Sequence, residues 1–226
     1  MRERIFQWLD HEFITLSAEG HTGKAEDQAK EAFGQLEDRL RARGLSLGNT
    51  VRTRLWGRDR ESRDLGSKVR SSTLTGPARS VSSSYISPDH FESPAGLVAV
   101  DLLAMFPSQQ GAEKRLVEYE PPIVPLRYLV CGSICFLSGV TSEKGDLADQ
   151  VSTIVPAIES SLIHAGTSWD RVARIAAFLH TSQEVAHFKT LLNSRVKAPN
   201  AQLAFGPSDG YSTPGKLVEV EVTARA

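Results

Sequence analysis

An internal repeat constrains the fold of this 226-residue chain more than any other feature of its sequence. Residues 27–59 align without a gap with residues 149–181, and the ends of the two halves align as well. A repeat of this length predicts two similar structural units. The aligned segments include Asp27-Gln28 with Asp149-Gln150, Gly44 with Gly166, and Leu97-Val98-x-Val100-Asp101 with Leu217-Val218-x-Val220-Glu221.

Each half follows the same order of elements: a hairpin, a helix, a strand, a shorter helix and two strands. Apolar residues at helical spacing predict the long helices, and alternating apolar residues predict the strands. Pro156 lies inside the second long helix and is expected to kink it or to mark a local break. The predicted helices span residues 25–43, 61–72, 147–165 and 182–196, and the predicted strands lie near 51–56, 78–86, 97–105, 173–179, 202–206 and 217–224.

The predicted domain organisation is a first unit at 1–106, a proline-rich connector at 107–125 and a second unit at 126–226. Four or more strands covered on one face by two helices make an α+β unit. The other face of such a sheet has to be hidden from water, which predicts a homo-oligomer.

Composition predicts a globular cytoplasmic protein. The chain has 26 basic and 27 acidic residues, a formal charge of −1 and 40% hydrophobic residues. No apolar run approaches the roughly 18 residues of a membrane span, and the first residues lack the apolar core of a signal peptide. Cys131 and Cys135 are too few for a disulfide framework or a zinc pattern, so we expect both to fill a hairpin, with no metal and no cofactor.

The segment 39–70 is strongly basic, with nine arginines and one lysine against Asp59, Glu61 and Asp64. Such a stripe indicates either an anionic partner or arginines paired with acidic residues of a neighbouring subunit. The nearly neutral total charge argues against nucleic acid, as does the scarcity of aromatic residues among the arginines, where only Trp56 lies.

Several segments together resemble the Rid family (reactive intermediate deaminase, YjgF-like). In the second half they are Gly132-Ser133-Ile134-Cys135-Phe136-Leu137-Ser138-Gly139, Ala165-Gly166-Thr167-Ser168-Trp169-Asp170-Arg171-Val172 and Leu217-Val218-Glu219-Val220-Glu221-Val222-Thr223-Ala224. In the first half they are Ala42-Arg43-Gly44-Leu45-Ser46-Leu47 and Gly76-Pro77-Ala78-Arg79-Ser80. The tandem arrangement also resembles chorismatase-like proteins, which pair two Rid-like units.

The resemblance implies a chorismate-mutase-like fold, trimers around a central barrel and ligand clefts between neighbouring units. Active members hydrolyse enamines or imines to ketones and ammonia. An arginine holds the substrate carboxylate, and a glutamate on the last strand positions or activates water.

The resemblance assigns these two groups to different halves of the chain. Arg79 matches the arginine, but Ala99 stands at the glutamate position of the first half. Glu219 matches the glutamate, but Gln202 stands at the arginine position of the second half. Lys189 corresponds to a family asparagine and could supply a compensating cation.

Each candidate residue also has an ordinary structural interpretation. Glu219 lies between Val218 and Val220, so its side chain points to the opposite face, either as general acid or base or as a paired strand glutamate. Arg79 is an anion clamp or an interface ion pair. The loop 206–215 precedes the last strand, and Tyr211 in it could contact a ligand. So could the Ser138 hydroxyl and the Gly139 amide, although all three also fit ordinary turn or edge chemistry.

The predicted function is therefore hydrolysis of a small carboxylated enamine, imine or related C–N compound. The alternative is a non-catalytic metabolite-binding or scaffold protein, since neither half retains both groups. The predicted partners are a small anionic metabolite and further copies of the chain, forming a trimer of two-unit chains. His164 and His180 have no Ser, Cys or carboxylate at a diagnostic spacing, so a nucleophilic triad is not predicted.

Overall fold

The computed structural model describes residues 1–107 and 113–226. The chain divides into two compact units, Met1–Lys114 and Arg115–Ala226. The division falls inside the predicted connector, whose residues 108–112 lie outside the described residues.

Unit 1 is a five-stranded sheet with two helices on one face. The strand order is β1-β2-β5-β3-β4, and only the β3–β4 pair is parallel. The elements are β1 (Arg2–Trp8), β2 (His11–Glu19), α1 (Ala25–Arg41), β3 (Thr50–Gly57), α2 (Arg60–Thr73), β4 (Val81–Ile86) and β5 (Val98–Met105).

Unit 2 repeats this arrangement, with added short strands. Its sheet has the order β11-β10-β12-β8-β7-β6, and β9 pairs with β12. The elements are β6 (Lys114–Val117), β7 (Tyr128–Cys131), β8 (Ile134–Leu137), β9 (Val140–Thr141), α3 (Leu147–His164), β10 (Val172–His180), α4 (Val185–Asn193), β11 (Gln202–Ser208) and β12 (Val218–Arg225). The predicted order of elements is confirmed in both halves. The predicted local break at Pro156 is wrong, because α3 continues through that residue.

The glutamine of the repeated Asp-Gln pair has the same structural role in both units. In unit 1, Gln28 donates from Nε2 to the Ala95 carbonyl (3.0 Å) and accepts from the Leu97 amide (2.7 Å). In unit 2, Gln150 donates to the Gly215 carbonyl (2.7 Å) and accepts from the Leu217 amide (2.8 Å). Both glutamines are buried. Each one therefore ties the long helix of its unit to the residues that lead into the last strand.

The core of each unit lies between the sheet and its helices. In unit 2 the core includes Val218, Val220 and Val222 of β12, packed with apolar residues of α3 and β10. The cysteines Cys131 and Cys135 are buried and unoxidised in the β7–β8 hairpin, as predicted. The face of each sheet that is turned away from the helices is called the open face below.

Many of the basic residues in segment 39–70 are engaged within unit 1. Arg39 and Arg43 both pair with Glu3 of β1, and Arg41 pairs with Glu37 and Asp38 on its own helix. Buried Arg70 donates to the Ser83 carbonyl (2.6 Å). These four arginines therefore have partners within their own unit.

None of the helices described is long and apolar enough to cross a bilayer.

Candidate functional site

Glu219 lies near the start of β12, on the open face of unit 2. It pairs in register with Phe178 of β10 and with Thr141 of β9. Its neighbours Val218 and Val220 belong to the core on the helical side, as the alternation of the sequence requires. Only 6% of Glu219 is exposed, so its carboxylate is a desolvated acidic group rather than a solvated strand residue.

The chain at Ser138-Gly139 makes room for this carboxylate. These two residues separate β8 from β9, so the strand is interrupted beside β12. A Cβ atom at Gly139 would overlap the Glu219 carboxylate, so a larger residue there would force Glu219 to move. The structure thus brings three of the predicted site residues together in one unit: Ser138, Gly139 and Glu219.

Tyr211 lies close to Glu219 but beneath the surface. Its side chain is 1% exposed, and its hydroxyl donates to the Phe178 carbonyl (2.8 Å). Burial raises the pKa of Tyr211 well above its usual range, and the negative charge of Glu219 adds to the effect. In this structure Tyr211 fastens the 206–215 loop to β10, which is the structural alternative named for it above.

Lys189 and Gln202 lie away from Glu219 within unit 2. Lys189 is on α4, and its Nζ atom lies 5.0 Å from the centre of the Phe205 ring. Phe205 packs against the core on the helical side, opposite to Glu219. Gln202 is exposed at the start of β11. Gly206, which pairs with Phe178, lies four positions further along that strand, about 13 Å away.

The strand registers correct the predicted counterpart of Arg79. Arg52 pairs with Val81 in unit 1, and its repeat equivalent Arg174 pairs with Gln202 in unit 2. Gln202 is therefore equivalent to Val81, and Asn200 takes the place of Arg79. The two-residue error in the sequence alignment arises in the loops before β4 and β11, where the sequence has no pattern to fix the alignment.

Arg79 itself lies in unit 1, directly after the Gly76–Ala78 turn and shortly before β4. Its backbone amide donates to the Gly76 carbonyl (3.2 Å), and its side chain is half-buried. The register also confirms the other half of the predicted comparison, because Ala99 pairs with Trp56 as Glu219 pairs with Phe178.

Glu221 is a second carboxylate that the sequence interpretation did not select. It lies two residues after Glu219 on the same open face and is 1% exposed. The sequence contains the pattern that predicts this position. Val218, Val220 and Val222 alternate with Glu219, Glu221 and Thr223, so Glu221 shares the face of Glu219. Within the described parts of the chain, no group of three or more His, Cys, Asp or Glu side chains is arranged to hold a metal ion.

Neither a family model nor a curated protein matches this sequence. Among solved structures, a chorismatase is similar over 95% of this chain and 74% of its own, with a TM-score of 0.68 and 14% identity. A YjgF/YER057c/UK114 family member from Mycobacterium tuberculosis covers 50% of this chain and 100% of its own, with a TM-score of 0.44 and 20% identity. A Rid family protein from Yersinia pestis covers the same shares, with a TM-score of 0.46 and 18% identity. The chain therefore has the chorismate-mutase-like α+β fold that its sequence predicts, and it shares that fold with a chorismatase over nearly its whole length.

Proposed function

We propose that the chain is a hydrolase that converts small carboxylated enamines or imines into ketones and ammonia, with Glu219 as the group that directs water. The observation that carries the proposal is the desolvated Glu219 carboxylate beside the strand interruption at Gly139. A carboxylate held beside a gap in the neighbouring strand can act as a general base toward a water molecule bound there.

In the proposed reaction, water adds to the carbon of the C=N bond. Glu219 accepts a proton from the attacking water and gives it to the imine nitrogen, which forms an aminoalcohol. Glu219 then takes the hydroxyl proton of the aminoalcohol and gives it to the nitrogen as the C=O bond forms and the C–N bond breaks. The products are a carbonyl compound and ammonia, and the carboxylate ends in the form in which it started. The Gly139 amide is the backbone donor that we assign to orient the substrate.

The carboxylate of the substrate needs a cation. Lys189 lies on the helical side of unit 2, and Gln202 carries no charge. Arg79 remains the predicted carboxylate-binding residue, because guanidinium groups bind carboxylates through two parallel hydrogen bonds. We also propose that the chain acts in the cytoplasm as a homotrimer, which light scattering of the purified protein would test.

The test is a coupled assay in which an amino-acid oxidase generates imines from a series of amino acids. Release of ketone and ammonia by the full chain, faster than in a mixture without it, supports the proposal. No acceleration with any imine would overturn it. In that case, stabilisation of the chain by small carboxylates in a thermal-shift screen would identify the alternative, a non-catalytic metabolite-binding protein.

A second candidate activity, hydrolysis of chorismate, is favoured by the structural similarity to a chorismatase over 95% of the chain. Chorismate also carries carboxylates, so the same anion-binding group would serve. Adding chorismate to the substrate series and following its consumption distinguishes the two activities.

A further inference from the structure

The open face of unit 1 contains a pocket where unit 2 has Glu219. Ala99 occupies the equivalent position of β5, between Glu19 of β2 and Trp56 of β3. Because alanine is much smaller than glutamate, a space remains above Ala99. The residues that line this pocket are Met1, Arg2, Ser17, Ala18, Glu19, His90, Glu92, Ala99 and Asp101.

Two carboxylates line the pocket, and neutral donors hold both of them in place. Asp101 accepts hydrogen bonds from the Ser17 hydroxyl (2.6 Å) and from Trp56 Nε1 (2.8 Å). Glu19 accepts from the backbone amides of Glu92 (3.0 Å) and Ser93 (3.1 Å). All four donors are neutral, so these bonds fix the positions of the carboxylates without cancelling their charges.

Three basic side chains lie near these two groups. Arg2 pairs with Glu92 at the exposed rim of the pocket. Arg54 lies cross-strand from Asp101 but does not line the pocket. His21 approaches the Glu19 carboxylate only to 4.0 Å. The interior of the pocket is therefore acidic, and the charges at its rim balance each other.

The His90 ring lines one side of the pocket. The His90 ring stacks on the Trp56 indole, with ring centres 4.1 Å apart and planes inclined by 13°. Burial is the main reason that the pKa of His90 lies below its usual range, so its imidazole is neutral at pH 7. A neutral imidazole has one nitrogen that accepts a hydrogen bond.

We propose that this pocket is a separate binding site for a small primary ammonium compound, held by Asp101, Glu19 and His90 with its alkyl chain between Ala99 and the His90 ring. A primary ammonium has three N–H donors, which match the three acceptors. The site lacks the counterpart of Glu219 and therefore binds its ligand without hydrolysing it. It is independent of the activity proposed for unit 2.

The test uses the full chain and three probes at constant ionic strength: propylammonium chloride, propyltrimethylammonium chloride and sodium butyrate. Binding is followed by calorimetry and by saturation-transfer NMR. We expect saturable binding of propylammonium with one site per chain, and at least about tenfold weaker binding of the other two probes, because neither offers the three N–H donors. Equal binding of butyrate or of the trimethylated probe, or no saturable binding of propylammonium, would overturn the proposal.

Three variants locate the site. Asp101→Asn keeps the shape of the side chain but removes its charge, and it should weaken propylammonium binding by about tenfold or more. Ala99→Glu fills the pocket with the side chain of unit 2 and should abolish binding, provided that circular dichroism shows a folded chain. Asp38→Asn removes an equal charge from exposed α1 and should leave binding unchanged. Wild-type affinity in Asp101→Asn would contradict the assignment even if Ala99→Glu failed to fold.

Discussion

The Glu219 carboxylate lies against the backbone of Gly139, in the break between β8 and β9, the two short strands that pair with β12. In unit 1, β2 is unbroken up to its last residue, Glu19, which pairs with Ala99 of β5. The strand interruption and the glutamate therefore occur together in one unit and are both absent from the other.

Gly139→Ala should impair catalysis far more than folding. The added methyl group overlaps the carboxylate, so Glu219 has to move away from its position. A misplaced catalytic group costs about a hundredfold in rate, and we expect a loss of that order in kcat. Steady-state kinetics and thermal unfolding of the same preparation measure the two effects.

The matched control is Gly34→Ala, because Gly34 is an exposed helical residue of α1 with open space around its Cα atom. That change should leave kcat unchanged and increase stability by about 0.5–1 kcal/mol. Similar kcat values for both alanine variants would contradict the role assigned to Gly139.

Gln150→Ala should destabilise unit 2 without changing any group in the site directly. It removes two hydrogen bonds and leaves the Gly215 carbonyl and the Leu217 amide without these partners. Loss of two buried hydrogen bonds predicts a decrease of about 2–4 kcal/mol in the free energy of unfolding, which urea denaturation measures. Gln28→Ala should cause a similar decrease through unit 1, and a negligible effect of both changes would refute this explanation of the repeat.

Stability should decrease as the pH falls below the usual pKa of histidine, and His90 should be one cause. Burial lowers its pKa in the folded chain, so between that value and about 6.5 the unfolded chain binds more protons than the folded one. The folded state is therefore penalised as the solution becomes more acidic. Asp101, Glu19 and Arg2 are the charged groups that act on His90, and burial outweighs the two carboxylates.

Urea denaturation at pH 7.5 and 5.5 checks this expectation. His90→Gln should reduce the difference in unfolding free energy between the two conditions. His187→Gln, at an exposed position of α4, serves as the control. If His90→Gln leaves the pH dependence of the wild type intact, His90 is not its source.

Arg79→Ala should raise KM for carboxylated substrates by about tenfold or more, because a charge-assisted pair with the substrate is lost. A substrate without a carboxylate should show no such increase. Arg195→Ala removes an exposed guanidinium from the end of α4 and should leave KM unchanged. An equal rise in KM for both kinds of substrate would show that Arg79 acts on the structure and not on the carboxylate.

The sequence predicts the long elements well, because the apolar residues of α1, α3 and the strands keep their periodicity in both halves. It does not predict β6 and β9, which have four and two residues and therefore no detectable alternation. The sequence also predicts on which face of the sheet Glu219 lies, because the apolar valines of β12 alternate with it.

The positions of the other site residues depend on how loops fold and on which side of the sheet the helices pack. The periodicity of the sequence specifies neither. Lys189 lies on the helical side because α4 packs there, and Tyr211 is buried because its loop folds back onto β10. His90 has no partner at a diagnostic spacing in the sequence. Its stacking on Trp56 arises only when the loop after β4 folds over β3.

The role of Glu219 is tested most directly by kcat for imine hydrolysis in Glu219→Gln, compared with Glu159→Gln at an exposed position of α3. Glutamine keeps the size of the side chain but accepts no proton from water. The account predicts a decrease in kcat of about a hundredfold or more for Glu219→Gln and none for Glu159→Gln. Equal kcat values for the wild type and Glu219→Gln would contradict it.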